Sequence, residues 1–331
     1  MEDPSTTSQE PERHPHAPLF RLVNGEGDGA ILGIAAGDTA GGAWELGYSA
    51  ITAQAAVIAY ELIEHGRIRR DGLRAAILEL DGSLDEEPVY RAETPSFRAW
   101  LDRARAGEIG PNDAPSNDGL SRAVVVGVAF RKHPDRLVDE TLALCEIFDR
   151  EPGTVAACVM AAAAAAALSY AQSGMDLISG VAEVVIPAIE VIDPDGADAP
   201  RLAGLEDSLK RLLGHVGVTD GQEALEVVGG DVSDPLQAVQ AGMLLAAVAN
   251  ERPHLTVEQA ARIGGSPLAA FVGGIVGARV GIRAWPWPFA NDTWFAELGR
   301  RLVRGPYSLE GLPIPYAVEQ HLTYGTRPDY L

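Results

Sequence analysis

Residues 154–168 read TVAACVMAAAAAAAL, and this run of small side chains limits what the chain can fold into more than any other feature. Alanine has the highest helix propensity and almost no side-chain bulk, so such a run forms a helix that neighbours can approach closely. It is shorter than the roughly 20 residues a membrane span needs. It therefore predicts a buried helix at the centre of a bundle. Glu151-Pro152 precedes it, with proline near the first helical position.

The same pattern runs along the chain. Residues 52–64 (TAQAAVIAYELIE) are apolar at helical spacing and stop at His65-Gly66. Asp28 is placed to cap a helix over GAILGIAAGDTAG, and Asp71 to start GLRAAILEL. Further helices are expected over 120–130, 135–148, 175–191 and 202–213. Others should open at Asp234-Pro235, at Thr256, at Ser266-Pro267 and at Asn291 or Asp292. Strand-like alternation never extends beyond a few residues, and no fixed repeat is visible. Gly and Ala dominate the helix faces. The fold class expected is all-α, a single multi-helix bundle over residues 19–331. Residues 1–18 (MEDPSTTSQEPERHPHAP) read as a disordered tail without a signal sequence. His14 and His16 lie in it and are read as solvated.

Composition removes several function classes. Lys+Arg is 26 against Asp+Glu 47, a net charge of −21. Such a surface repels phosphate backbones and anionic membranes, so neither nucleic acid nor membrane is an expected partner. The expected location is the cytoplasm. Two cysteines, Cys145 and Cys158, exclude a disulfide scaffold and a Cys-rich zinc site, and each sits among apolar helix residues. No serine nucleophile elbow and no His-x-x-x-His pair is present.

Four segments carry a resemblance: GAILGIAAGDTAGGAWE (29–45), YSAITAQAAVIAYELIEHGRI (48–68), PSNDGLSRAVVVGVAF (115–130) and LTVEQAARIGGSPLAAFVGGIVGARVGI (255–282). In their order and helical setting they resemble the ADP-ribosylglycohydrolase family. The resemblance implies an all-α bundle. In that family two divalent metal ions, usually Mg²⁺, sit beside the ribose of ADP-ribose, and the glycosidic bond to a modified side chain is hydrolysed. The metals orient the ribose hydroxyls and a water.

The departures from the family pattern carry the functional expectation. Where the family has Thr-Asp-Asp-Thr at a helix start, this chain has Ser49-Ala50-Ile51-Thr52. Where it has Gly-Gly-Asp-Thr-Asp-Thr, this chain has Gly264-Gly265-Ser266-Pro267-Leu268-Ala269. Mg²⁺ needs oxygen ligands in near-octahedral geometry, normally including carboxylates. No metal ligand is therefore assigned, and no cofactor is expected.

Parts of the pattern survive. Asp38, in Gly37-Asp38-Thr39-Ala40-Gly41, and Glu45 match acidic positions of the family and are the candidate catalytic residues. Each also has a structural reading: Asp38 as a turn residue, Glu45 as a solvated acid. Ser49 and Thr52 suit a ribose or a helix cap. Ser116, Asn117 and Arg122 match the family's Ser-Asn-Gly-x-x-x-Arg stretch, a loop near its ligand, with Asp118 in place of the small residue. Arg122 reads as a phosphate clamp or as an ion-pair partner of Asp118 one turn back. Gly264, Gly265 and Ser266 precede a helix start, whose free N–H groups suit an anion, or simply allow close packing. Asp234, in Gly229-Gly230-Asp231-Val232-Ser233-Asp234, reads as a helix cap. Trp285-Pro286-Trp287-Pro288-Phe289 reads as a loop anchor or an adenine stack.

Three functions fit these residues. The first is a pseudoenzyme that binds a nucleotide-like small molecule or a protein partner. The second is a metal-independent glycosidase using Asp38 and Glu45. The third is a structural or assembly protein with a filled cleft. The packing of Ile51 and Leu268 separates them: an open pocket favours a ligand, a closed one does not.

Overall fold

The computed structural model describes residues 27–43, 47–82, 89–108, 110–171, 173–196, 198–249, 252–282, 285 and 290–324. The N-terminal tail, Trp44, Glu45, Trp287 and Phe289 lie outside them. The described residues form helices and a single isolated parallel bridge, Asn112 to Asp149.

The Ala-rich run is the hub, as its composition requires. Helix α7 (Pro152–Leu168) is buried from Gly153 to Ala165 and again at Leu168, with Pro152 in its first turn. It packs against α5 (Asp118–Ala129), α6 (Pro134–Phe148), α8 (Gly174–Ile192), α12 (Pro235–Ala247) and α13 (Pro253–Val280). A Cβ on Gly127 of α5 would lie 2.1 Å from the Ala162 carbonyl oxygen, so this pair meets backbone to backbone.

The second close contact joins α1 (Ala30–Asp38) to α13. Gly33 of α1 faces Gly273 of α13, and a Cβ on Gly33 would stand 2.0 Å from the Gly273 carbonyl oxygen. Gly37 meets Ala269 at the same distance, and Gly277 meets Gly29. The spacing of four puts these small residues in one row on each helix. Helix α13 is long and apolar enough to cross a membrane, but most of its apolar window is buried inside the bundle.

Several boundaries differ from those read in the sequence. Gly29, not Asp28, is the cap position of α1, and no side chain caps it. Thr256 is interior to α13, which starts at Pro253 because proline suits a first turn. The break expected at Ser266-Pro267 is present: Gly265 adopts φ 61°, ψ −158° inside α13. The helix expected over 202–213 is two, α9 (Ala199–Ala203) and α10 (Leu205–Leu213), divided at Gly204. Helices α4 (Pro95–Arg105), α11 (Gly221–Val228) and α15 (Pro315–Tyr324) are further elements, while α2 (Ala50–His65), α3 (Arg70–Leu80) and α14 (Asp292–Arg304) fall where the pattern places them.

Candidate functional site

Asp38 ends α1 and is wholly buried. A carboxylate there faces the negative end of its own helix, which is unfavourable unless donors compensate. The donors come from α2. The Ser49 N–H (2.8 Å), the Ser49 hydroxyl (2.8 Å), the Thr52 N–H (3.3 Å) and the Thr52 hydroxyl (2.7 Å) all donate to Asp38. Ser49 Oγ in turn accepts from the Ile51 N–H at 3.1 Å. Asp38 thus caps a neighbouring helix from outside, where the positive end of α2 offsets the charge. Burial raises its pKa, against the lowering effect of the Thr52 and Ser49 hydrogen bonds.

The break in α13 closes on the same point. Ser266 Oγ donates to the Asp38 carbonyl oxygen at 3.1 Å. The turn after α1, Thr39–Ala43, packs on α13, and a Cβ on Gly41 would lie 2.3 Å from Ser266 Cα. Thr39 Oγ1 donates to the Gly47 carbonyl at 2.8 Å, spanning the stretch that contains Glu45. Gly264 and Gly265 are partly exposed beside this turn. Asn117 Nδ2 donates to the Val232 carbonyl at 2.8 Å, and Val232 in turn packs beside Gly264. Residues from all four sequence segments therefore converge on one end of the bundle.

The resemblance puts Ile51 and Leu268 at positions where the family motifs carry acids. Ile51 is 2% exposed and Leu268 is fully buried, as are Ala50 and Ala269 within 1%. All four belong to, or are buried against, the apolar core.

The third segment is tied to the bundle by side chains. The Ser116 hydroxyl accepts from the Asp118 N–H at 3.2 Å, and Asp118 accepts from the Thr94 hydroxyl. Arg122 is buried and donates to Gln54 Oε1 (2.9 Å) and Asp149 Oδ2 (2.8 Å), with its guanidinium 4.1 Å above the Phe148 ring. Its hydrogen bonds go to α2 and to the end of α6, not to Asp118. Burial raises Asp149 to about 6 despite Arg122 beside it, and burial likewise raises Asp118. Asp234 caps α12 through the Leu236 N–H at 2.9 Å.

A second polar cluster beside Ser49 escaped the sequence reading. The Tyr48 hydroxyl donates to Glu319 Oε1 at 2.7 Å and accepts from Asn291 Nδ2 at 2.9 Å. Arg91 Nη2 donates to Glu319 Oε2 at 2.6 Å, and the Arg91 carbonyl accepts from the Ala50 N–H at 2.8 Å. Glu319 is buried, and its pKa is raised by that burial. The available signal was Tyr48 directly before the Ser49 cap; its partners lie more than 240 residues away.

Among the described residues, Glu61, Glu64 and His65 form a group close enough to share a cation, at the opposite end of α2. Glu61 is already engaged by Arg69, whose Nε and Nη2 lie at 2.9 and 3.3 Å.

The ADP-ribosylglycohydrolase family model matches residues 27–310. Among solved structures, the chain is similar to one titled "ADP-ribosylglycohydrolase-related protein complex". The TM-score is 0.60 and the identity 17%, over 85% of this chain and 98% of that one. That likeness concerns the fold. No curated protein matches the chain. With the all-α bundle, the four converging segments and the family model spanning most of its length, the chain belongs to the ADP-ribosylglycohydrolase family.

Proposed function

We propose that this protein is a non-hydrolytic member of its family, which uses the inherited bundle to bind a nucleotide-like small molecule or a protein partner. The observation that carries the reading is the burial of Ile51 and Leu268 at the family's acidic positions. Two Mg²⁺ ions bring four positive charges and want carboxylate and water oxygens. The described residues nearby supply the hydroxyls of Ser49, Thr52 and Ser266, the Glu319 carboxylate, already held by Tyr48 and Arg91, and the carboxylate of Asp38. Its oxygens already take the donors of α2. This set does not fit a pair of Mg²⁺ ions, and no step is derived through them.

The same geometry argues against a metal-free hydrolase built on Asp38. A general base must reach the proton it abstracts, and Asp38 is closed off beneath Ser49 and Thr52. Ligand contacts are instead proposed for the partly exposed Gly264, Gly265 and Ser266 and for Asn117, which edge the closed floor.

The test is turnover. The full chain, incubated with an ADP-ribosylated peptide and Mg²⁺, should release no ADP-ribose above the protein-free blank by mass spectrometry. Catalytic release that is lost in Glu45→Gln would overturn the proposal.

A further inference from the structure

A second site is built at the other end of the molecule. Helix α2 runs sixteen residues from Ala50 to His65, so its C-terminal end lies about 24 Å from Ser49. There Leu62 and Gly66 meet the α5–α6 turn and the end of α14 around a cavity of about 300 Å³. That volume is at the small end of metabolite pockets.

The lining is strongly basic in a strongly acidic protein. Arg131, Lys132 and His133 come from the α5–α6 turn, Arg136 from the first turn of α6, and Arg304 from the last turn of α14. Four of the chain's 26 Lys and Arg residues thus face one cavity, while the molecule as a whole carries −21. Such a concentration of like charge is unfavourable unless a counter-charge is bound.

Two of these cations are held in place. Arg131 Nη1 donates to the Val128 carbonyl at 3.0 Å. Arg136 donates to the Gly66 carbonyl (2.7 Å) and to Glu140 (3.1 Å), and its guanidinium lies 4.4 Å above the Phe130 ring. Glu140 neutralises Arg136 in part; its other oxygen accepts from the Ile68 N–H. The other two, Lys132 and Arg304, are exposed and make no side-chain hydrogen bond or ion pair among the described residues. Helix α6 opens at Pro134 in the same wall, and no side chain caps it. Its positive end adds to the cationic field, offset in part by Asp135 in the same turn. Phe130 and Leu302 supply an apolar wall.

We propose that this pocket binds a small phosphate monoester, with the phosphate at Lys132 and Arg304 and an apolar body against Phe130 and Leu302. Several cations converging from different elements suit the tetrahedral oxygens of a phosphate better than the planar fork of one carboxylate. The site is independent of the end of the bundle that carries Asp38.

The experiment is calorimetric titration of the full chain at constant ionic strength with phenyl phosphate and, separately, inorganic phosphate. Phenyl phosphate should bind saturably and more tightly than inorganic phosphate. The double variant Lys132→Ala/Arg304→Ala should weaken it at least about tenfold with an unchanged melting midpoint, since both side chains are exposed. Absence of saturable binding, or equal affinity in wild type and double variant, would overturn the site. Equal affinity for the two probes would overturn the role assigned to the apolar wall.

Discussion

Replacing Asp38 by alanine separates a structural clasp from a catalytic base. The wild-type carboxylate accepts from four groups of α2, two N–H and two O–H, in a fully buried setting. All four reach Oδ2, so asparagine could keep them, whereas alanine removes both acceptor oxygens: the two hydroxyls can rotate to other acceptors, but the Ser49 and Thr52 N–H groups are left without this partner. Each unmet buried donor costs about 1–3 kcal/mol. Part is recovered, because the raised pKa of Asp38 means that its burial as an anion is itself costly. The balance is a loss of about 3 kcal/mol, or ~4 °C in melting midpoint for a chain of this size. Urea denaturation followed by circular dichroism measures it. Thr52→Val in the same cycle should show coupling to Asp38 rather than additivity. A base held for chemistry behaves oppositely, because removing a functional carboxylate commonly leaves stability unchanged or improves it. An unchanged or raised midpoint in Asp38→Ala would refute the clasp.

Other consequences follow from the same geometry. Gly33→Ala places a methyl group 2.0 Å from the Gly273 carbonyl oxygen and forces α1 from α13; overpacking of about 3 kcal/mol against ~1 kcal/mol of gained helix propensity leaves a net loss of about 2 kcal/mol in urea denaturation. Asp149 is raised by burial to about 6 in the folded chain from an ordinary 3.8. Its stabilisation is therefore complete below pH ~4 and is lost as pH rises through ~6, about 3 kcal/mol in all. Asp38, Asp118 and Glu319 are raised too and act with the same sign. The protein should be harder to unfold in urea at pH 5 than at pH 7.5, with a smaller difference in Asp149→Asn. Ile51→Asp puts an acid inside the core and should cost about 3 kcal/mol or more, without recovery on adding Mg²⁺ in a thermal melt.

Local signals made much of the fold legible. Alanine at 154–168, Pro152, Ser49, Gly66 and Asp234 each act within one turn, and each marks an observed boundary. The α1–α13 approach was foreshadowed by small residues on helix faces, although the pairing of Gly33 with Gly273 is tertiary and has no local sign. Helix α4 was readable: Thr94 caps it, Pro95 opens it, and Phe97, Trp100 and Leu101 repeat at helical spacing on its buried face. The site divides the same way. Ser49 as a cap follows from its position before α2. Arg122 pairing with Asp149, rather than with Asp118 one turn back, depends on α6 ending beside α5. The Tyr48–Glu319–Arg91 cluster joins three distant stretches, so only the folded chain assembles it.

The most direct test is a melting titration with ADP-ribose, run once with Mg²⁺ and once with a chelator. A ligand at 100 times its Kd should add about 2.7 kcal/mol. If buried Ile51 and Leu268 stand where the family carries metal-bearing acids, as proposed, the curves under the two conditions superimpose, whatever the size of the shift. A shift that appears only with Mg²⁺ would contradict it, because a working metal site would then exist where the structure places apolar core.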